Sequence, residues 1–311
     1  MIKIVIKKLV PKKVLKLIRN RQSEDNAVTF FFENSTSSFD YKSYKMHGLI
    51  PVFYWDRKPN FGDLVGPYLI SKITKKPVVN IKNIPCAGIM AVGSIIQMLD
   101  RKNMVIWGSG LMHKPTKEQE KKLIKYKPKV LSVRGKETAK CLIELGISLP
   151  NESTYGDPAL LLPLFYKPFR KNKKEIGVCP HYTHKPYFLE KINERSNLKV
   201  IDVQNDLETV VDSIFSSTVC ISTSLHGLII AQAYNIPWVW LEIVDNNLGG
   251  DDFKFKDFFS TIDETQVSHI KITMSEVESL NYESIAEKAM LPNKLYNEEL
   301  ILNSLKLYLN K

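Results

Sequence analysis

Short apolar runs alternate with longer segments of helical periodicity along most of this chain, and that alternation restricts its fold more than any other feature. The runs 48–54, 88–92, 104–107, 129–133, 175–179, 199–203, 218–222 and 238–242 read as strands. Segments 63–74, 117–125, 136–145, 186–195, 206–216, 226–234 and 276–289 read as helices. Strands that alternate with helices predict an α/β fold with mostly parallel sheets. Pro163, Pro168 and the cluster Lys167, Arg170, Lys171, Lys173 and Lys174 interrupt the pattern, as a linker does. The expected organisation is a basic arm at 1–27, an α/β domain at 28–163, a linker at 164–174, and a second α/β domain with C-terminal helices at 175–311. Two such domains face each other across a cleft.

A chain of 311 residues with 44% hydrophobic and 25% charged residues can bury two cores, so disorder and a disulfide scaffold are excluded. Cys86, Cys141, Cys179 and Cys220 are scattered and form no CxxC, which predicts reduced thiols and a reducing compartment. No apolar run reaches the roughly 18 residues of a membrane span, and no signal core precedes the fold. A cytoplasmic protein is expected. Of the net charge of +11, residues 1–22 supply +8 (Lys3, Lys7, Lys8, Lys12, Lys13, Lys16, Arg19 and Arg21), leaving +3 for the rest. Ile2, Ile6, Leu9, Val10, Val14, Leu17 and Ile18 recur at helical spacing, with Pro11 as a kink. A basic amphipathic arm suits peripheral contact with an anionic membrane surface. Nucleic-acid binding is not expected, because the excess charge is not spread over the folded part.

The segment Ile221 to Ala231 is the richest in chemistry. A strand runs into Ser222, Thr223 and Ser224, and an apolar helix follows. Such a turn presents backbone N–H groups to an anion. His226 titrates near neutrality, and Gly227 permits close approach. The competing reading is an ordinary cap with His226 in the core. Asn60-Phe61-Gly62-Asp63 opens another helix after a strand, where α/β proteins place their sites. Asp63 is a candidate base there, or a cap. Gly108-Ser109-Gly110 follows a strand but lacks dinucleotide spacing. Arg134 ends a strand and suits a carboxylate or phosphate, or an interdomain ion pair. Asp157 in Gly156-Asp157-Pro158 reads as a turn cap. His181 and His184 follow the first strand of the second half, without the carboxylate or cysteine pattern of a metal site. Lys254 lies in an aromatic stripe, as an anion ligand or a snorkelling side chain. Trp55, Trp107, Trp238 and Trp240 read as core.

Taken in order, these segments resemble the polysaccharide pyruvyl transferase family. The match rests on Asn60-Phe61-Gly62-Asp63, Trp107-Gly108-Ser109-Gly110, Val133-Arg134-Gly135, Gly156 to Pro163, Pro180-His181-Tyr182, Ser222 to Pro237, and Phe253-Lys254-Phe255. It covers about residues 48–262 and is nearest to the succinoglycan type. Thr223 stands where serine is expected, and Gln232 where an acid is common, which bears on acceptor choice. The resemblance implies two Rossmann-like halves in a glycosyltransferase-B-like arrangement. It also implies transfer of pyruvate from phosphoenolpyruvate to two hydroxyls of one sugar, galactose-type, in a lipid-linked or exopolysaccharide or capsule precursor. A cyclic ketal forms, phosphate leaves, and no metal or other cofactor is required. His226, Asp63 and His181 are then the expected acid and base residues. Arg134, Ser222, Thr223, Ser224, Gly227, Asn60, Gly108, Ser109 and Lys254 are the expected substrate contacts. The alternative is a nucleotide-sugar glycosyltransferase on the same fold, separated by its donor; a non-catalytic sugar-binding protein fits less well, because the polar turns favour an anion.

Overall fold

Two sheets carry the apolar runs. The computed structural model describes residues 27–32, 35–40, 48–169, 175–192, 197–250 and 252–310. The basic segment 1–22 and residues 170–174 of the expected linker lie outside the described residues.

The first sheet holds β1 (Ala27–Phe32), β2 (Ser35–Asp40), β3 (Ile50–Phe53), β4 (Val78–Asn80), β5 (Ile89–Met90), β6 (Val105–Trp107) and β7 (Lys129–Ser132). Their order is β2-β1-β4-β3-β5-β6-β7. Strands β3 to β7 pair in parallel, with Ile50 opposite Val78 and Ile89 opposite Val105. Strand β1 runs antiparallel to both β2 and β4. The second sheet is parallel throughout, in the order β12-β11-β10-β8-β9. It comprises β8 (Ile176–Cys179), β9 (Leu198–Val200), β10 (Cys220–Ser222), β11 (Trp238–Ile243) and β12 (His269–Ile272). Parallel strands covered on both faces need near-continuous apolar sequence, which is why Val, Ile and Trp dominate β6 and β11.

The helices are α1 (Phe61–Thr74), α2 (Lys117–Tyr126), α3 (Lys136–Glu144), α4 (Lys185–Ile192), α5 (Leu207–Phe215), α6 (Leu225–Ala233), α7 (Phe253–Phe259), α8 (Tyr282–Ala286) and α9 (Glu298–Leu309). Local chemistry sets several boundaries. Thr116 and Gln119 form a reciprocal capping box at the start of α2, and Asp206 caps α5 through the N–H of Thr209. The expected helix at 276–289 is shorter. A Thr273–Glu276 capping box closes a 3-10 turn, and Asn281 then starts α8 anew through the N–H of Ser284.

The two halves share apolar packing. The largest buried cluster contains Val52, Tyr68 and Trp107 from the first half, and Leu228, Trp238 and Phe258 from the second. The backbone also crosses between them, where Phe61 N–H donates to Val203 O at 2.8 Å. Helix α9 returns to the first half: Ile301 and Leu305 are fully buried, and the Trp107 indole donates to Ile301 O at 2.9 Å. All four cysteines are free thiols. Among the described residues no helix is long and apolar enough to cross a membrane.

Candidate active site

The loops leaving the C-terminal ends of the parallel strands meet where the halves touch. Each brings a different group, and the backbone geometry determines which groups come close.

The loop after β3 enters α1 through Asn60. The Asn60 amide does not cap the helix; its Nδ2 donates to Asp63 Oδ2 at 2.9 Å. Asp63 is half-buried in the first turn of α1. Burial raises its carboxyl to about 7, against the pull of the Asn60 hydrogen bond. The residue between them, Gly62, is where the halves make contact. A Cβ on Gly62 would stand 2.3 Å from Nδ1 of His226, so only glycine lets the imidazole rest on this turn. Phe61 meets the same ring edge-on at 6.4 Å.

His226 lies in the first turn of α6 and is 9% exposed. Burial lowers it to about 3, reinforced by the charges of Arg134 and then Lys254. The imidazole is therefore neutral at pH 7. Its other nitrogen, Nε2, lies 3.9 Å from Asp157 Oδ2. Both atoms are buried and neither has a hydrogen-bond partner. Lys254, on α7, is 7% exposed, and burial and Arg134 lower it to about 8. His181, after β8, is half-buried and lowered to about 3 by burial, Lys254, His184 and His226. Its Nδ1 accepts from Thr183 N–H.

His226, Lys254 and His181 thus lie within reach of one another's charges, and the turn that carries Asp63 packs on the His226 ring through Gly62. Other expected contacts have structural work instead. Arg134 is fully buried: Nε donates to Asp257 Oδ2 at 2.9 Å, one terminal nitrogen to Ser94 Oγ at 2.6 Å, and the other to Leu111 O at 2.7 Å. The interdomain ion pair is the reading that fits, and Arg134 acts on the site through its charge. Ser222 Oγ bonds Cys179 O and the backbone of Ser224, with no exposure left for a ligand. Thr223 Oγ1 accepts from His181 N–H at 2.8 Å and meets His184 Nδ1 at 2.9 Å, so it positions the histidines. Gly227 faces the strands rather than a ligand: a Cβ there would lie 2.4 Å from Ser222 Oγ and 2.8 Å from Cys179 Sγ. Gly108 has φ +72 and packs on Pro158, and Ser109 Oγ donates to Gly93 O at 2.8 Å. Ser224 starts α6 without a side-chain cap bond and is 3% exposed. Gln232 is buried, its Nε2 donating to Pro292 O and its Oε1 accepting from the Trp238 indole. Trp55 is only half-buried, under Arg57 and Lys82.

Three residues had no part in the site assigned from sequence. Asp257 receives Arg134 and both the N–H and hydroxyl of Thr138. Ser94 meets Arg134, and Asp157 faces His226. Only the Gly-Asp-Pro turn signalled any of them, and it signalled a cap. Asp157 does cap, since Oδ1 accepts from Ala159 N–H at 2.9 Å.

Next to Thr223 and His184 a shallow recess opens to solvent, with Trp240, Glu242, Asn247 and Phe255 among its walls. A carboxyl, an imidazole and a buried lysine thus lie where two α/β halves join, beside an aromatic and polar recess. Over residues 5–246 the sequence matches the family described as polysaccharide pyruvyl transferase, and the chain belongs to that family. Its members are transferases, and their activity is pyruvyl transfer to polysaccharide. An uncharacterized protein of Acanthamoeba polyphaga mimivirus is 32% identical over 226 residues, which are 68% of this chain and 74% of that protein. A functionally uncharacterized protein from Klebsiella pneumoniae, known by its crystal structure, superposes with a TM-score of 0.40 at 13% identity, covering 75% of this chain and 95% of that one.

Proposed function

We propose that this enzyme transfers pyruvate from phosphoenolpyruvate to two hydroxyls of one sugar unit, forming a cyclic ketal and releasing phosphate. The observation that carries this reading is the meeting of His226 with the Asn60–Asp63 turn across Gly62. An imidazole from one half rests on the turn that carries a carboxyl of the other.

The chemistry follows from their charges. The donor carries a carboxylate and a phosphate. Its arrival offsets Lys254 and Arg134, the charges that hold His226 down, and so raises the proton affinity of the imidazole. His226 then protonates C3 of the enol, and C2 becomes electrophilic. Asp63 takes the proton of the attacking hydroxyl, and an O–C2 bond forms. Through these two groups the first hydroxyl proton ends on C3. The second hydroxyl of the same sugar attacks C2 as the C2–O bond to phosphate breaks, and its proton leaves with phosphate. That second step is intramolecular, so orientation supplies much of its rate. His181 lines the site as a neutral ring. The recess supports a sugar acceptor, with Trp240 and Phe255 as apolar walls and Glu242 and Asn247 as hydrogen-bonding groups. The eight cations of segment 1–22 support a lipid-linked acceptor at the inner face of an anionic membrane.

The test mixes purified protein with phosphoenolpyruvate and a lipid-linked galactose-containing acceptor. The expected result is a mass gain of one pyruvate less one water, matched by released phosphate. In His226→Ala the rate falls at least about a hundredfold, the scale of a lost catalytic acid. Release of a nucleotide from a nucleotide sugar, without turnover of phosphoenolpyruvate, would overturn the reading.

A further inference from the structure

We propose that Asp157 is the positioning partner of His226: its free Oδ2 holds Nε2, so that Nδ1, over Gly62, is the nitrogen that exchanges a proton in the site. The kinetic part of this inference rests on the pyruvyl-transfer reading, and the geometric part does not.

The two buried atoms have only each other. Asp157 is fully buried and His226 nearly so, and their facing atoms, Oδ2 and Nε2, are both without hydrogen bonds at 3.9 Å. A buried polar atom left unpaired is destabilising, so two that face each other demand a reason. Catalytic hydrogen bonds are often long in an empty site and shorten when substrate binds. The other atoms of the pair are committed. Asp157 Oδ1 is fixed on Ala159 N–H, which aims Oδ2 at the ring. Nδ1 lies against the turn that carries Asp63.

The charged and titratable surroundings come from every element packed on the pair. Arg134 follows β7, His181 follows β8, Asp257 and Lys254 belong to α7, Asp63 belongs to α1, and Tyr296 lies behind Gly156. Burial raises Asp157 to about 7; Ala159 N–H and Arg134 pull it down, and Asp257 pushes it up. Groups this close titrate as a unit. With one proton in the pair, it sits on Nε2 facing the carboxylate, and Nδ1 is bare and accepts. With two, Nδ1 carries a proton and donates. Asp157 thus sets which nitrogen works.

The experiment labels histidine with nitrogen-15 in the full chain, assigns the ring of residue 226 with His226→Gln, and reads its tautomer at alkaline pH. The wild type is expected to be protonated at Nε2. In Asp157→Asn the amide oxygen stays on Ala159 N–H, and the amide nitrogen donates to Nε2. The ring must then carry its proton on Nδ1. With phosphoenolpyruvate turnover as the second readout, kcat of Asp157→Asn falls at least about a hundredfold while KM changes less than about threefold, as for a wrong tautomer at intact geometry. A wild-type ring protonated at Nδ1 overturns the proposal, even if the variant fails to fold. The same tautomer in both proteins also overturns it, as does a switched tautomer with wild-type kcat. Absence of wild-type turnover would refute the donor assignment alone, because the tautomer decides the pair without it.

Discussion

Asp63 loses water on entering the first turn of α1, and its carboxyl rises to about 7 while Asn60 holds one oxygen. In the unfolded chain it ionises near pH 4. Between those values the folded form keeps a proton that the unfolded form has released. The stability conferred by the neutral carboxyl is therefore complete below about pH 4 and is lost as pH rises through about 7. In the proposed reaction the dependence runs the other way, since Asp63 as base must be ionised. Two results follow for Asp63→Asn. Its melting temperature should exceed that of the wild type at pH 8 and match it near pH 4, in paired calorimetric scans. Its pyruvyl transfer should fall at least about a hundredfold, and the acidic limb of the wild-type kcat/KM profile near pH 7 should vanish. Wild-type turnover in this variant would remove Asp63 from the reaction.

The strands of the two sheets show what a sequence can reveal about elements. Runs such as Val105–Trp107 and Trp238–Ile243 are covered on both faces, so apolar content alone marks them. Strand β2 reads STSSFD and gains its place only by pairing with β1. Helix α7 reads FKFKDFF, where Phe255, Phe258 and Phe259 repeat at helical spacing over a single turn, too short to mark a helix, and bonds from Arg134, Lys136 and Thr138 of the other half hold it. The site divides in the same way. Gly108, Ser109, Ser222 and Gly227 stand out because backbone packs closely at strand exits, and a sequence does not distinguish close packing from close approach to a ligand. The meeting of His226 with Gly62 depends on the docking of two halves, which no local pattern encodes. Arg134 and Asp257 brace that docking. Their ion pair is fully buried, and a Cβ on Gly135 would stand 1.7 Å from Asp257 O, so α3 and α7 leave no slack. Removing one member strands a buried charge, at about 3–5 kcal/mol, whereas an apolar pair of similar volume restores much of the loss. In urea titrations Arg134→Ala and Asp257→Ala should each lose stability on that scale, and Arg134→Met with Asp257→Leu should recover most of it. Two single variants with wild-type midpoints would show that the pair does not brace the halves.

At the scale of the molecule, two separate sheets raise the question of whether they unfold separately. The linkage argues against it. One apolar cluster takes Trp107 and Leu160 from one side and Leu228 and Trp238 from the other. Phe61 N–H crosses to Val203 O, and Tyr68 OH donates to Glu208 Oε1. Helix α9 completes the tie, because it follows the second sheet in sequence yet buries Ile301 and Leu305 against the first half. Ile301 is its anchor. The carbonyl accepts the Trp107 indole, and Cδ1 lies where a Cβ on Gly156 would be, 2.4 Å away. Truncation to alanine opens a cavity behind the Gly-Asp-Pro turn and should cost about 2–5 kcal/mol. Since both halves share the loss, the whole transition should move. Tryptophan fluorescence reports Trp55 and Trp107 in one half and Trp238 and Trp240 in the other, and far-ultraviolet dichroism reports the helices throughout. The two probes should give one coincident transition in the wild type and one in Ile301→Ala, displaced to lower denaturant with the slope unchanged. Two resolved transitions, with only one displaced by Ile301→Ala, would mean that the halves fold independently, and that the His226–Gly62 contact between them is no more permanent than a domain encounter.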